Sequence, residues 1–143
     1  MNGRANPWCV VAGALALTPC VANEAFPNAF YEVAVETSMP HLEEALRYSN
    51  TREQRCLSEQ ELRTAFPALS HPALKGCALK SETRDEGEFA YVLQCEGKSE
   101  TTGHARWRVG DRVSVGTLLV RLGGKNMTFS QRMKVTRLRA CSS

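Results

Sequence analysis

The placement of cysteine limits this chain most, and two of its six cysteines bracket one stretch, CALKSETRDEGEFAYVLQC, residues 77 to 95. Asp85, Glu86 and Gly87 suit a three-residue hairpin loop whose last position is left-handed, a conformation glycine adopts without penalty. In that register Arg84 faces Glu88, Thr83 faces Phe89, Ser81 faces Tyr91, Leu79 faces Leu93, and Cys77 faces Cys95. A two-residue turn at Glu86 and Gly87 would slip the pairing by one and put the two cysteines on opposite faces, because side chains alternate with period two. The register therefore predicts a cross-strand disulfide. It closes a loop of 19 residues, counting both cysteines, for which chain entropy gives about 3 kcal/mol. The alternative is a reduced, buried pair, which suits a cytosolic protein, so the compartment decides.

The amino terminus speaks to that. MNGRANPWCVVAGALALTPCVANEAF has one early arginine, an apolar run from Trp8 to Leu17, then small residues, which is the pattern of a secretory signal peptide. The run is well short of the ~18 apolar residues that span a bilayer as a helix. Val21 and Ala22 precede the expected cut, so residues 1–22 are the leader and 23–143 the exported domain. A rival reading takes Leu17–Cys20 as a lipoprotein box with Cys20 as the acylated first residue, although Pro19 stands where that box takes a small residue. In either case Cys56, Cys77, Cys95 and Cys141 remain, an even set in a short exported chain. With Cys77 assigned to Cys95, Cys56 is left for Cys141, closing 86 residues and worth about 4.5 kcal/mol in the same entropy model. A four-cysteine zinc site would need C-x-x-C spacing, which the chain lacks.

The 121 residues after Ala22 make one domain, and their 17 basic against 15 acidic side chains leave too small an excess for a nucleic-acid binder. Tyr31, Val33 and Val35 alternate with polar neighbours as in a half-buried strand. HLEEALRYS places Leu42, Ala45 and Leu46 at helical spacing and predicts a short surface helix. QRCLSEQELRTAF predicts a brief extended piece at Cys56, then a helix capped by Ser58 and Glu61, packed through Leu62, Ala65 and Phe66 and stopped by Pro67. Ala105, Trp107 and Val109 alternate with His104, Arg106 and Arg108. Turns at Gly110–Asp111 and Gly123–Gly124 flank RVSVGTLLVRL. The last strand sets Met127, Phe129, Met133 and Val135 on one side, then jumps phase to Leu138 and Ala140, predicting a β-bulge near Thr136 or Arg137. The expected fold is mainly β, a curved antiparallel sheet of about six strands with one or two short helices, stapled by disulfides.

This arrangement resembles a family of small exported bacterial proteins, domain of unknown function 3617. The shared features are YEV in an early strand, a cysteine leading into a capped acidic turn (CLSEQEL), the cysteine-bounded hairpin, TTGHARWRVGDRVSVGTLLV, and a terminal cysteine. They span residues 30 to 141. Tyr31 stands where tryptophan is commoner, and HLEEALRYS is more helical than the loop usual there. The resemblance implies a periplasmic β domain without an assigned activity or site residues.

No catalytic residue is expected, since G-x-S-x-G, H-E-x-x-H and phosphate-cradling loops are all missing. No cofactor or metal is expected either. His41 has Glu43 and Glu44 nearby but not at i, i+4, His71 precedes Pro72 in a loop, and His104 lies on a polar strand face. Two non-catalytic readings follow. One is an envelope accessory protein that meets a protein or glycan through the basic side chains Arg106, Arg108, Arg112, Arg132 and Lys134. The other is a carrier of a small apolar ligand or lipid, with Tyr91, Trp107, Phe129 and Met133 lining the inner face among Phe89 and Met127. The competing role for those aromatic and methionine side chains is simply the core.

Overall fold

The computed structural model describes residues 28–44, 47–97, 100–123 and 127–141; the expected leader, its cleavage point, Cys20, and Gly124 of the last expected turn lie outside them. Among the described residues seven strands form one sheet: β1 (Ala29–Ser38), β2 (Tyr48–Leu57), β3 (Cys77–Asp85), β4 (Glu88–Cys95), β5 (Thr102–Arg108), β6 (Val113–Leu122) and β7 (Met127–Ala140). Their order is β2-β1-β7-β6-β5-β4-β3, so the sheet is open with β2 and β3 at its edges, and every neighbouring pair is antiparallel. The first and last strands lie side by side, which brings Cys141 to the end of β2. Both expected disulfides are present, Cys56–Cys141 and Cys77–Cys95.

Alternation along each strand gives the sheet two unlike faces. The inner face buries Val33 and Val35, Phe89, Tyr91 and Leu93, Ala105 and Trp107, Leu118 and Val120, and Phe129, Met133 and Val135. A sheet this apolar on one side needs a cover. The connection from β2 to β3 supplies it, starting with α1 (Glu59–Thr64) and continuing through 3-10 turns at Pro67–Ser70 and Pro72–Leu74. The Ser58 hydroxyl accepts the Glu61 N–H at 3.2 Å, and Glu61 accepts the Ser58 N–H at 2.8 Å, the reciprocal capping box expected from the sequence. That backbone hydrogen bond, followed by one from the Ser58 hydroxyl, holds the Glu61 carboxyl below the usual carboxylate range. Leu62, Phe66 and Leu74 are buried beneath this cover, each contributing about 2 kcal/mol by burial.

Two expectations need correction. The hairpin turn has two residues, with Glu86 at φ 41° and Gly87 at φ 82°, the type I′ geometry that matches strand twist. Asp85 therefore pairs with Glu88, Arg84 with Phe89 and Thr83 with Ala90, and the register slips between Lys80 and Thr83. The slip is an irregularity around Ser81, which is left-handed at φ 58°. It adds back the residue that the shorter turn removed, so Leu79 still meets Leu93 and Cys77 meets Cys95.

The second correction concerns HLEEALRYS. Pro40 to Leu42 form a turn, Glu44 stands in a 3-10 turn, and Tyr48 and Ser49 are already strand, while Ala45 and Leu46 lie outside the described residues. The brief extended piece at Cys56 is the end of the ten-residue β2. Its side chains show no apolar alternation because it is an edge strand. Its stability comes from an unbroken backbone ladder with β1 and from the bridge at Cys56.

The β-bulge expected near Thr136 or Arg137 is present. The irregularity in β7 falls at Leu138, since Phe30 pairs with Arg139 while Tyr31 pairs with Arg137. The extra residue is 43% exposed, so the change of phase turns Leu138 outward instead of extending the core.

Candidate functional site

The covering segment leaves β2 at one end of the sheet and enters β3 at the other, crossing the inner face between them. Its middle is pinned by two contacts. Phe66 packs edge-on against Trp107, with ring centroids 6.2 Å apart at 89°. The Ala68 N–H donates to Gln131 Oε1 at 3.0 Å, while Gln131 Nε2 donates to the Thr37 hydroxyl at 2.9 Å. Gln131 is 5% exposed on an otherwise apolar face. Its amide thus ties cover, β7 and β1 together, and both ends of the amide are satisfied in a place where loss of either bond would be costly.

With its middle closed, the inner face opens into two clefts at opposite ends of the sheet. The larger, about 530 Å³, lies where β1 and β6 end and β7 begins. Val35, Met39, Leu42, Pro67, Leu122, Met127 and Phe129 give it carbon walls, with Thr37, Ser49, Thr51, Ala68, Ser70, His41, His71 and Gln131 also contributing to its lining. It exists because the inward positions of β2 here are Ser49 and Thr51, side chains too short to fill the space beside Val35. Three of its other polar side chains are engaged by nearby backbone. Ser70 donates to the Pro67 carbonyl at 2.7 Å, His71 Nδ1 accepts from the Ala73 N–H at 3.1 Å, and His41 Nδ1 lies 3.2 Å from the Thr128 carbonyl. His71 therefore takes the turn role read from His71-Pro72. A cleft with such walls can hold an apolar molecule by burial.

The second cleft, about 420 Å³, lies at the opposite end between the cover and the starts of β4 and β6. Tyr31, Phe89 and Trp107 contribute aromatic surface, and Arg84, Arg112, Arg137 and Asp111 line it as well. Arg63 of α1 stacks on Phe89 with its guanidinium carbon 3.8 Å from the ring centroid, a cation–π contact.

The four side chains proposed to line a ligand are all buried on the inner face, but they do not form one site. Phe129 borders the apolar cleft and Trp107 the arginine-lined one. Tyr91 and Met133 lie in the core cluster beneath the cover and line neither of these clefts. The Tyr91 hydroxyl donates to Glu82 at 2.6 Å. Burial first, and then that hydrogen bond, push its phenol up to about 12.

The basic side chains also separate. Arg106 and Arg108 are exposed on the outer face and share Glu88. Arg132 and Lys134 stand exposed on the same face. Arg112 instead sits in the turn before β6, where its carbonyl accepts the Arg137 N–H at 3.0 Å, and so it belongs to the second cleft.

Among the described residues no three His, Cys, Asp or Glu side chains gather as a metal site. Gln131 was the residue most open to detection from sequence, being a polar side chain in the inward phase between Phe129 and Met133. Arg84 and Arg137 carried no such signal, because their approach depends on strands distant in sequence. No family model, curated protein or solved structure matches this chain.

Proposed function

We propose that this chain is an exported, non-catalytic binding protein of the periplasm that takes a small apolar ligand in the cleft bounded by Val35, Met39, Leu122, Met127 and Phe129. The observation that carries this reading is the cleft itself: carbon walls around about 530 Å³, left open beside a filled core, with Gln131, Thr37, Ser70 and His71 of its lining already engaged. A volume of this order suits a molecule with the apolar bulk of a short lipid tail. Export is supported by two disulfides, which persist in oxidising compartments, together with the leader-like residues 1–22. No helix among the described residues is long and apolar enough to cross a membrane. Membership of the domain of unknown function 3617 family is proposed on the residue pattern alone.

The test is a fluorescence titration with N-phenyl-1-naphthylamine, followed by displacement with a series of fatty acids and alcohols. We expect saturable binding of one probe per chain and competition that strengthens with chain length until the cleft is full. Absence of saturable binding, or competition indifferent to apolar size, would overturn the proposal.

A further inference from the structure

We propose that the arginine-lined cleft is a second, independent site, which binds a phosphate or carboxylate carried on a flat apolar body. The argument begins with what its side chains lack. Arg84, Arg112 and Arg137 are gathered around one cleft of about 420 Å³ with Asp111 as the acid in its lining. The ion pairs among the described residues use other arginines, Arg52, Arg55, Arg106 and Arg108, so none of the three cleft arginines has a carboxylate of a described residue within 4.0 Å. A guanidinium offers five N–H donors and no acceptor.

The arrangement is held by backbone. The Arg137 N–H bonds the Arg112 carbonyl, and Arg84 stands opposite Phe89 in the hairpin, its guanidinium carbon 5.2 Å from the ring centroid. Cations fixed near one another repel, and an anion between them relieves that repulsion while accepting paired hydrogen bonds.

A second observation points the same way. Trp107, only 1% exposed and part of the cleft lining, has its indole N–H buried without a hydrogen-bond partner among the described residues. Buried donors of this kind are uncommon in folded proteins. The site is therefore rich in donors and poor in acceptors, and the half-buried side chains of Tyr31 and Val109 in its lining offer apolar surface for the body of the ligand. Phosphate or carboxylate supplies the acceptors, and an aromatic or similarly flat body packs on Tyr31 and Val109.

The probe is phenyl phosphate, added to the full chain carrying Trp8→Phe so that Trp107 is the one tryptophan left. We expect a saturable change in Trp107 emission, weaker binding of inorganic phosphate, and none of benzyl alcohol at the same concentration. Arg112→Gln with Arg137→Gln should weaken binding by about tenfold or more, from loss of charge-assisted hydrogen bonds. Arg84→Gln alone, at an exposed hairpin position, should weaken it measurably with the fold intact. Removing the same charge from the outer face with Arg132→Gln and Lys134→Gln should change affinity by less than about twofold, as expected of screened, distant charges.

A parallel arm uses phosphatidylcholine vesicles with and without phosphatidic acid. Binding that needs phosphatidic acid and fails in the Arg112 and Arg137 variant assigns the anion to a lipid headgroup, whereas binding of phenyl phosphate alone assigns it to a soluble ligand. The proposal is overturned if neither anion binds, if benzyl alcohol binds as well as phenyl phosphate, or if the outer-face variant loses as much affinity as the cleft variant. Filling the apolar cleft with Thr51→Trp, in an isothermal titration that does not depend on Trp107 emission, should leave phenyl phosphate affinity unchanged; loss there would also contradict the independence of the two sites.

Discussion

Replacing Gly116 with alanine should destabilise the domain far more than one methyl group implies. Gly116 faces Trp107 across β5 and β6. A Cβ at this position would strike Cε3 and Cζ3 of the Trp107 ring and come within 3.0 Å of Cζ of Phe66. The two rings are already set edge to face at 6.2 Å, so Trp107 cannot retreat without disturbing Phe66 and, through it, the cover. Overpacking of a closed core costs about 1–3 kcal/mol, and displacement of two rings places Gly116→Ala at about 2–3 kcal/mol, or a fall in melting temperature of about 10 °C.

The cause can be separated from any intrinsic effect of alanine in a strand by a double-mutant cycle with Trp107→Leu, which removes the obstructing ring atoms. Trp107→Leu should itself be costly, because Trp107→Ala belongs to the class of truncations costing about 3–5 kcal/mol. In its presence Gly116→Ala should become nearly neutral, giving a coupling of at least about 1.5 kcal/mol. Urea unfolding followed by far-UV circular dichroism, with disulfides intact, measures all four corners as a two-state transition. If Gly116→Ala costs under about 0.5 kcal/mol, or costs the same with leucine at 107, the ring is not seated on the glycine and the account of the closed middle fails.

Other outcomes follow from the same structure. Gln131→Leu should cost about 2 kcal/mol in urea unfolding, because it strands the Ala68 N–H in a partly buried position; a neutral substitution would show that water replaces the amide without loss. Unreduced peptide mapping should leave the arms of the hairpin joined after cleavage at Arg84, and Cys56→Ala with Cys141→Ala should cost about 1 kcal/mol more than Cys77→Ala with Cys95→Ala, since the longer loop restrains more of the unfolded chain. Reversal of that order would mean that effects other than loop entropy dominate. The Tyr91 phenol, pushed up to about 12 in the fold against about 10 when unfolded, favours the folded state fully below pH ~10 and loses that contribution as pH rises through ~12. Tyr91→Phe should therefore flatten the alkaline fall in stability, and an unchanged fall would assign it to other groups.

The legible parts of this fold were those written in local pattern. Strand alternation from Val33 to Val35 and from Ala105 to Trp107 located inward positions, and Ser58 with Glu61 marked the start of α1. The bridge between Cys77 and Cys95 was also readable, because two departures from the expected register cancel. Glycine at position 87 permits either turn length, and nothing in KSET announces that Ser81 is left-handed, so neither the short turn nor the compensating irregularity was visible. β2 was obscured for a different reason. An edge strand held by backbone pairing needs no apolar alternation. The clefts were harder still, since each is bounded by strands far apart in sequence and by the path of the cover. Phe129 and Trp107 looked like one set from the sequence, and it is the contact of Phe66 with Trp107 and the reach of Gln131 that divide them.

The most direct test of the account is to fill the apolar cleft from its edge. Thr51 is an exposed residue of β2 whose side chain faces the cleft, so Thr51→Trp can occupy the space without entering the core, and an edge substitution of this kind should change stability by less than about 0.5 kcal/mol. N-phenyl-1-naphthylamine titration of the two proteins should show affinity lower by about tenfold or more in the variant, a loss of at least 1.4 kcal/mol of binding free energy, with the melting temperature held. Equal binding by Thr51→Trp and the parent protein would contradict the assignment, because the probe would then be held somewhere other than the cleft between Val35 and Phe129.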